Sequence, residues 1–277
     1  MTDASGPILV SVVDGLARLT LNRPKRLNAF DDELARGWAQ ATTEVVARDD
    51  VGAIVVDAAG PAFCAGGDVI AMAATVGSGA DLTAFAEVIN TGIRALAESA
   101  IPVVAAAHGT TAGGGLGILL SSDYAVVGAN SRIGSQYANI GLTPDLSVSA
   151  HLARAVGERR ALQLVLQDRL LTAPEALEWG LVAEVVDGAD AAATADAVRA
   201  RADEVARFWL TGAHRAYGQA KRLVRSQPAR SFAEQLAEEA RTIGAAYDTP
   251  EARARIAAFA EASARRASAP APSQETS

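Results

Sequence analysis

The sequence predicts an α/β fold with parallel strands, and three observations carry that expectation. Short runs rich in Val, Ile and Leu alternate with segments of helical periodicity through the first half of the chain. Ala-, Arg- and Glu-rich helical patterns dominate from about residue 189 onward. Two glycine-rich stretches, 61–69 and 111–120, stand where a strand should hand over to a helix.

At the N-terminus, ILVSVV, Asp14-Gly15 and LARLTL read as two strands joined by a two-residue turn, because Asp-Gly accepts the positive φ such a turn needs. Over 31–50 the residues Leu34, Trp38, Ala41 and Val45 recur at helical spacing, with Asp31 or Asp32 as cap. AIVVDA reads as a buried strand, 82–98 as a helix, and VVAAA after Pro102 as the next strand. YAVVG and a short run at 132–134 continue the alternation. Helices are expected over 147–156 and 158–167, and again after Thr172, which suits an N-cap with Pro174 in the first turn and Gly180 at the end. HRAYGQAKRLVRS, SFAEQLAEEARTIGAAY and PEARARIAAFAEASARR read as further helices, and the tail ASAPAPSQETS as disordered. The expected division is a core over 1–190, a helical region over 191–265 and a tail over 266–277.

With 277 residues, half of them hydrophobic, the chain is long enough to bury a sizeable core. A net charge of −7 without a basic stripe argues against a nucleic-acid or anionic-membrane partner. One cysteine, Cys64, excludes an internal disulfide and a Cys-based zinc cluster, and no metal is expected. No apolar run approaches the ~18 residues of a membrane span, and the start MTDASGPILV lacks a signal pattern. A cytoplasmic location is expected.

Without side chains, the glycines let a ligand approach the main chain, and a helix N-terminus directs unpaired N–H groups outward. The alternative is that they serve close helix–sheet packing. No GxxxxGK[ST] occurs, and GGGLG lacks the spacing of a dinucleotide fingerprint.

Taken together, PAFCAGGDV, AAAHGTTAGGGLGILLSSDYAVV, IGLTPD, LARAVGERRALQLVL and LTAPEALEWGLVAEVV occur in the order and spacing of the enoyl-CoA hydratase/isomerase, or crotonase, superfamily. LTLNRPKRLNAFD resembles it too, so the resemblance runs from about residue 8 to 265. It implies a spiral of strand-strand-helix turns followed by a helical trimerisation region, assembled as a trimer or a dimer of trimers. It also implies an acyl-CoA thioester substrate, with coenzyme A entering as part of the substrate and no separate cofactor. The thioester oxygen is held between two backbone N–H groups, which by motif position are those of Gly67 and Gly114.

Hydratases of the superfamily position water with two glutamates, expected at 117 and 137. Here these are Gly117 and Tyr137, so simple hydration is disfavoured. Asp145 in IGLTPD matches the aspartate that shuttles a proton in certain double-bond isomerases. It also matches the aspartate that attacks the ring in dehalogenases of aromatic acyl-CoA, where Tyr137 would stand at the place of a tryptophan. Isomerisation is preferred over the dehalogenase-like route, an atypical hydratase and a non-catalytic acyl-CoA-binding protein. On local sequence alone a helix cap is the commoner fate of such an aspartate, and the two roles can coexist.

For the coenzyme A phosphates the resemblance points to Lys25 and Arg26, with Lys221 or Arg222 as weaker candidates. Leu27, Ala29 and Ala65 are expected along the adenine and pantetheine path through backbone contacts, and Gly66, Asp68 and Gly113 belong to the same set. Asp68 is expected to hold its loop rather than to react. His108, His151, His214, Cys64 and Asp123 read as structural, since no GxSxG or partnered nucleophile occurs.

Overall fold

Asp14 and Gly15 both take positive φ, 51° and 79°, as a two-residue hairpin turn with inverted twist requires. The structure is a computed structural model that describes residues 2–3, 6–167 and 169–267. The turn joins β2 (Ile8–Val13) to β3 (Leu16–Leu21), and β1 (Thr2–Asp3) pairs antiparallel with β2. From β3 onward the pairing is parallel, through β4 (Ala53–Ala58), β5 (Val103–Ala107), β7 (Tyr124–Gly128) and β10 (Glu184–Val186). A second sheet pairs β6 (Thr110–Ala112) with β8 (Arg132–Gly134), and β8 with β9 (Leu171–Thr172). Isolated bridges at Phe30–Gly67 and Cys64–Thr111 extend this second layer. The chain therefore repeats a unit of main-sheet strand, second-layer pairing and helix, the spiral the resemblance implied.

The helices follow from local signals. In α1 (Asp32–Val46), Asp31 caps Leu34 N–H at 2.9 Å, and the stripe Leu34, Trp38, Ala41 and Val45 is buried. A short α2 (Val69–Thr75) precedes α3 (Gly79–Glu98), which begins three residues before the apolar pattern does because Ser78 caps it. Helix α4 (Gly114–Ser121) is buried along its whole length. Next come α5 (Val148–Val156), α6 (Glu158–Leu166) and α7 (Ala173–Glu178), the last closed by a capping box between Thr172 and Glu175.

The main sheet is covered on both faces, as parallel strands require. Ile54 and Val56 join the large cluster that includes α1, α3 and α4. The alternate residues Ala53 and Val55 pack on Val198, Ala202 and Val205 of α8 (Ala191–Thr211). This corrects the expected boundary after residue 190: α8 supplies one wall of the core, and the first compact unit runs to Arg225. Most of α9 (His214–Ser226) belongs to it. The second unit, from Ser226, holds α10 (Phe232–Tyr247) and α11 (Pro250–Ala267). Of the tail expected to be disordered, Arg266 and Ala267 end α11, and 268–277 lie outside the described residues. No described helix is long and apolar enough to cross a membrane.

Candidate active site

The two glycine stretches meet. Backbone pairing draws them together, Cys64 N–H donating to Thr110 O at 3.1 Å and Ala112 N–H to Cys64 O at 2.9 Å. A β-carbon on Gly113 would sit 3.4 Å from Gly66 Cα, and Gly113 has φ 52° and ψ −120°, a conformation that excludes side chains. Just beyond this contact stand Gly67 and Gly114, whose N–H groups donate to no protein acceptor among the described residues. As the first residue of α4, Gly114 has no intrahelical acceptor to find. Two free amides thus flank one opening.

That opening is a cavity of about 460 Å³. Its apolar wall includes Phe30, Met72 and Leu142 together with Leu82, Phe85 and Ile89 from α3. Among its lining residues Asp145 is the one carboxylate. Tyr137 donates its hydroxyl to Asp145 Oδ1 at 2.5 Å. Burial pushes the Asp145 carboxyl above its usual range, and the Tyr137 hydrogen bond only partly opposes this. The Tyr137 phenol is raised by burial and by the adjacent Asp145 charge, so it stays protonated and remains the donor.

Asp145 does not cap α5. The cap position is Ser147, in the left-handed region with no side-chain cap bond, and the Asp145 carbonyl rather than its carboxylate accepts Val148 N–H at 2.9 Å. The carboxylate is left to the cavity. Position 117, on the neighbouring turn of α4, has no room for an acid: a β-carbon there would lie 2.4 Å from Leu146 O.

The pattern of the enoyl-CoA hydratase/isomerase family matches residues 12–266. The chain belongs to that family. Over 190 residues it is 35% identical to a 1,2-epoxyphenylacetyl-CoA isomerase of Escherichia coli, covering 68% of this chain and 72% of the relative. It is 31% identical to 4-chlorobenzoyl coenzyme A dehalogenase-1 of an Arthrobacter species, over 91% of this chain and 90% of that one. Among solved structures, an enoyl-CoA hydratase of Mycobacterium smegmatis superposes with a TM-score of 0.82 at 25% identity, covering 93% of this chain and 97% of that chain. Relatives at similar distance thus carry different reactions, and the family alone does not select one.

Within this family member the cavity gathers Ala65, Gly66, Gly67, Gly113, Gly114, Tyr137 and Asp145 from the sequence-derived set. Lys25, Arg26, Leu27, Ala29 and Asp68 lie outside its lining. Asp68 is held down to about 2, first by Arg26, whose guanidinium contacts it at 3.1 and 2.7 Å, and it also caps α2 through Ala71 N–H. These bonds tie Asp68 to its loop, and Arg26 enters any encounter with phosphate already paired. Lys25 is exposed on the short 3₁₀ turn Pro24–Arg26. Leu27 O accepts Ala65 N–H at 3.0 Å and Ala29 O accepts the Arg23 guanidinium, so both carbonyls brace the loop.

Lys221 is corrected from a phosphate candidate to a core group. It is buried and donates to Leu96 O at 2.6 Å and Ile101 O at 2.7 Å, with Asp123 at 3.0 Å. His108 is buried with Nε2 2.8 Å from Gly60 O, and burial keeps it neutral. Burial pushes the Cys64 thiol up to about 12, which leaves it unreactive. Sequence reasoning gave no role to the polar lining residues Ser135, Gln136 and Asn139, which lie outside the quoted motifs, or to Thr143, which lies within IGLTPD. The residue-to-residue distance between Ser135 O and Gly113 N–H, 3.1 Å, is set only once β8 lies beside β6. Phe85 and Ile89 carried a helical pattern, but that pattern equally describes a core face.

Proposed function

We propose that this enzyme moves a double bond in an enoyl-CoA thioester, with Asp145 shuttling the proton and Gly67 and Gly114 N–H holding the developing enolate oxygen. The observation that carries this reading is the lone cavity carboxylate, lifted by burial and fixed by Tyr137 beside two unpaired amides. Asp145 takes a proton from the γ- or α-carbon as electrons move onto the thioester oxygen. Its carboxyl proton exchanges with solvent, and it delivers a proton to the other carbon as the oxygen charge collapses, so no net water and no redox partner is consumed. A preorganised oxyanion donor contributes roughly 2.7–4 kcal/mol to lowering the barrier. The raised carboxyl suits reversible transfer near neutral pH.

A second reading has Asp145 attack an aromatic ring and form an ester, which water then cleaves. The aromatic side chains Phe30, Phe85 and Tyr137 in the wall and the dehalogenase relative favour it. One feature weighs against it: Tyr137 donates to one carboxylate oxygen, which ties up that oxygen and lowers its nucleophilicity. Water is not placed by acids at 117 and 137, which keeps hydration behind both.

The deciding experiment presents 3-enoyl, 2-enoyl and aryl acyl-CoA thioesters to the wild type in heavy water and, separately, in heavy-oxygen water. Deuterium entering the acyl chain without net hydration supports the shuttle. Heavy oxygen entering the Asp145 carboxylate during a single turnover replaces it with the ester route. Exposed Lys25 is the proposed phosphate contact. The homo-oligomer of the resemblance is kept as a proposal, supported by exposed apolar residues on α10 and α11, including Phe232, Ile243 and Phe259.

A further inference from the structure

The segment that carries Asp145 rests on α4 at one place. Leu146 and Ser147 have φ of 47° and 70°, two successive non-glycine residues in the left-handed region, which surrounding packing must maintain. Leu146 is buried. Its side chain lies against Gly114, where an added β-carbon would meet Cδ1 at 2.9 Å. Its backbone lies against Gly117, where an added β-carbon would meet the carbonyl oxygen at 2.4 Å, Cβ at 2.9 Å and the carbonyl carbon at 3.3 Å. The close contacts at 117 are mostly with backbone, which has no rotamer by which to withdraw. No ordinary packing contact is that short.

We propose that Gly117 is a positioning residue for Asp145: the bare face of α4 at 117 seats the Leu146 backbone, and any side chain there drives Asp145 away from Tyr137. The seat lies one residue beyond the carboxylate, so a shift of the Leu146 carbonyl is passed directly to it. In this chain a side chain at 117 and the observed place of Asp145 exclude one another. The two positions therefore change together or not at all, and an acid added at 117 alone does not add to the existing site but dismantles it.

The kinetic part of the test rests on the proton-shuttle reading, and the structural part does not. Gly117→Ala is expected to lower kcat by about 10²-fold with little change in KM, the scale of a 1 Å misplacement. In the Asp145→Asn background the same substitution is expected to cause no further loss. An equal loss in both backgrounds would make Gly117 a residue of general packing and overturn the proposal. A crystal structure of Gly117→Ala without substrate is expected to show the Tyr137–Asp145 contact opened beyond hydrogen-bond range. Retention of the 2.5 Å contact would overturn the proposal whatever the kinetics. Wild-type turnover by Asp145→Asn would remove the shuttle reading and leave that crystallographic outcome to decide the positioning role. Should Gly117→Ala fail to fold, Leu146→Ala removes the anchor on Gly114 with 117 intact. It is expected to open the same contact, and an unmoved Asp145 in that variant counts against the seat.

Discussion

At the scale of single residues the proposed reaction rests on one weak acid kept in an unfavourable place. Asp145→Asn is expected to lower kcat by about 10²–10⁴-fold, the contribution of a general base, with little effect on acyl-CoA affinity. The same change should stabilise the protein. The folded-state pKa of Asp145 lies above its unfolded value, so its favourable contribution is present at low pH and is lost as pH rises through the folded pKa. Neutral pH lies above the unfolded value, so there the buried carboxyl is a net cost, and Asn should recover on the order of 0.5–2 kcal/mol, read as a raised Tm at pH 7. Tyr137→Phe tests the partner. The phenol hydrogen bond favours the ionised carboxylate, so its loss should raise the carboxyl pKa further and move the acidic limb of the kcat/KM profile to higher pH. A limb that stays in place would mean that Tyr137 does not act through Asp145.

At the scale of elements, α3 has two duties. One part of it lines the cavity through Leu82, Phe85 and Ile89, while Gly92 lets it cross α1 closely. There a β-carbon would lie 2.2 Å from Trp38 Nε1 and 2.7 Å from Thr42 Oγ1, and Trp38 also donates to Ile89 O at 3.2 Å. Gly92→Ala should therefore cost about 1–3 kcal/mol, as overpacking does, measured as a lower urea midpoint at unchanged slope. Because Ile89 is both an anchor for Trp38 and a wall of the cavity, KM for longer acyl groups should rise in the same variant. A change in stability with KM untouched would separate the two duties.

At the scale of the whole molecule, an acidic chain of net charge −7 has to attract an anionic thioester through local groups. Lys25→Ala should raise KM several-fold with kcat unchanged, an effect that fades as salt screens the contact. An unchanged KM at low salt would remove Lys25 from the phosphate site. The exposed apolar residues of α10 and α11 argue for association with a second copy of the chain, since apolar residues of that size gather at interfaces. Light scattering at micromolar concentration should give a mass of three or six chains. A monomer would leave those residues without a partner of this kind.

The sequence by itself determined the alternation of strands and helices, the hairpin at Asp14-Gly15, the Asp31 and Thr172 caps, and the two glycine stretches. Each of these is a local property: turn chemistry, periodicity or a capping oxygen read over a few residues. Asp145, Gly67 and Gly114 were also legible, but only as separate positions in separate motifs. Tertiary structure decided that those positions meet around one cavity. The same IGLTPD suits a helix cap until Ser147 takes the cap position of α5 and Tyr137, eight residues away, closes on the Asp145 carboxylate. Lys221 reads as a candidate phosphate contact until α9 places it on the carbonyls of Leu96 and Ile101. Residue 190 reads as the end of the core until α8 covers Val55 and Val104. In each case the deciding partner is distant in sequence or held by backbone geometry, and neither composition nor spacing carries that information.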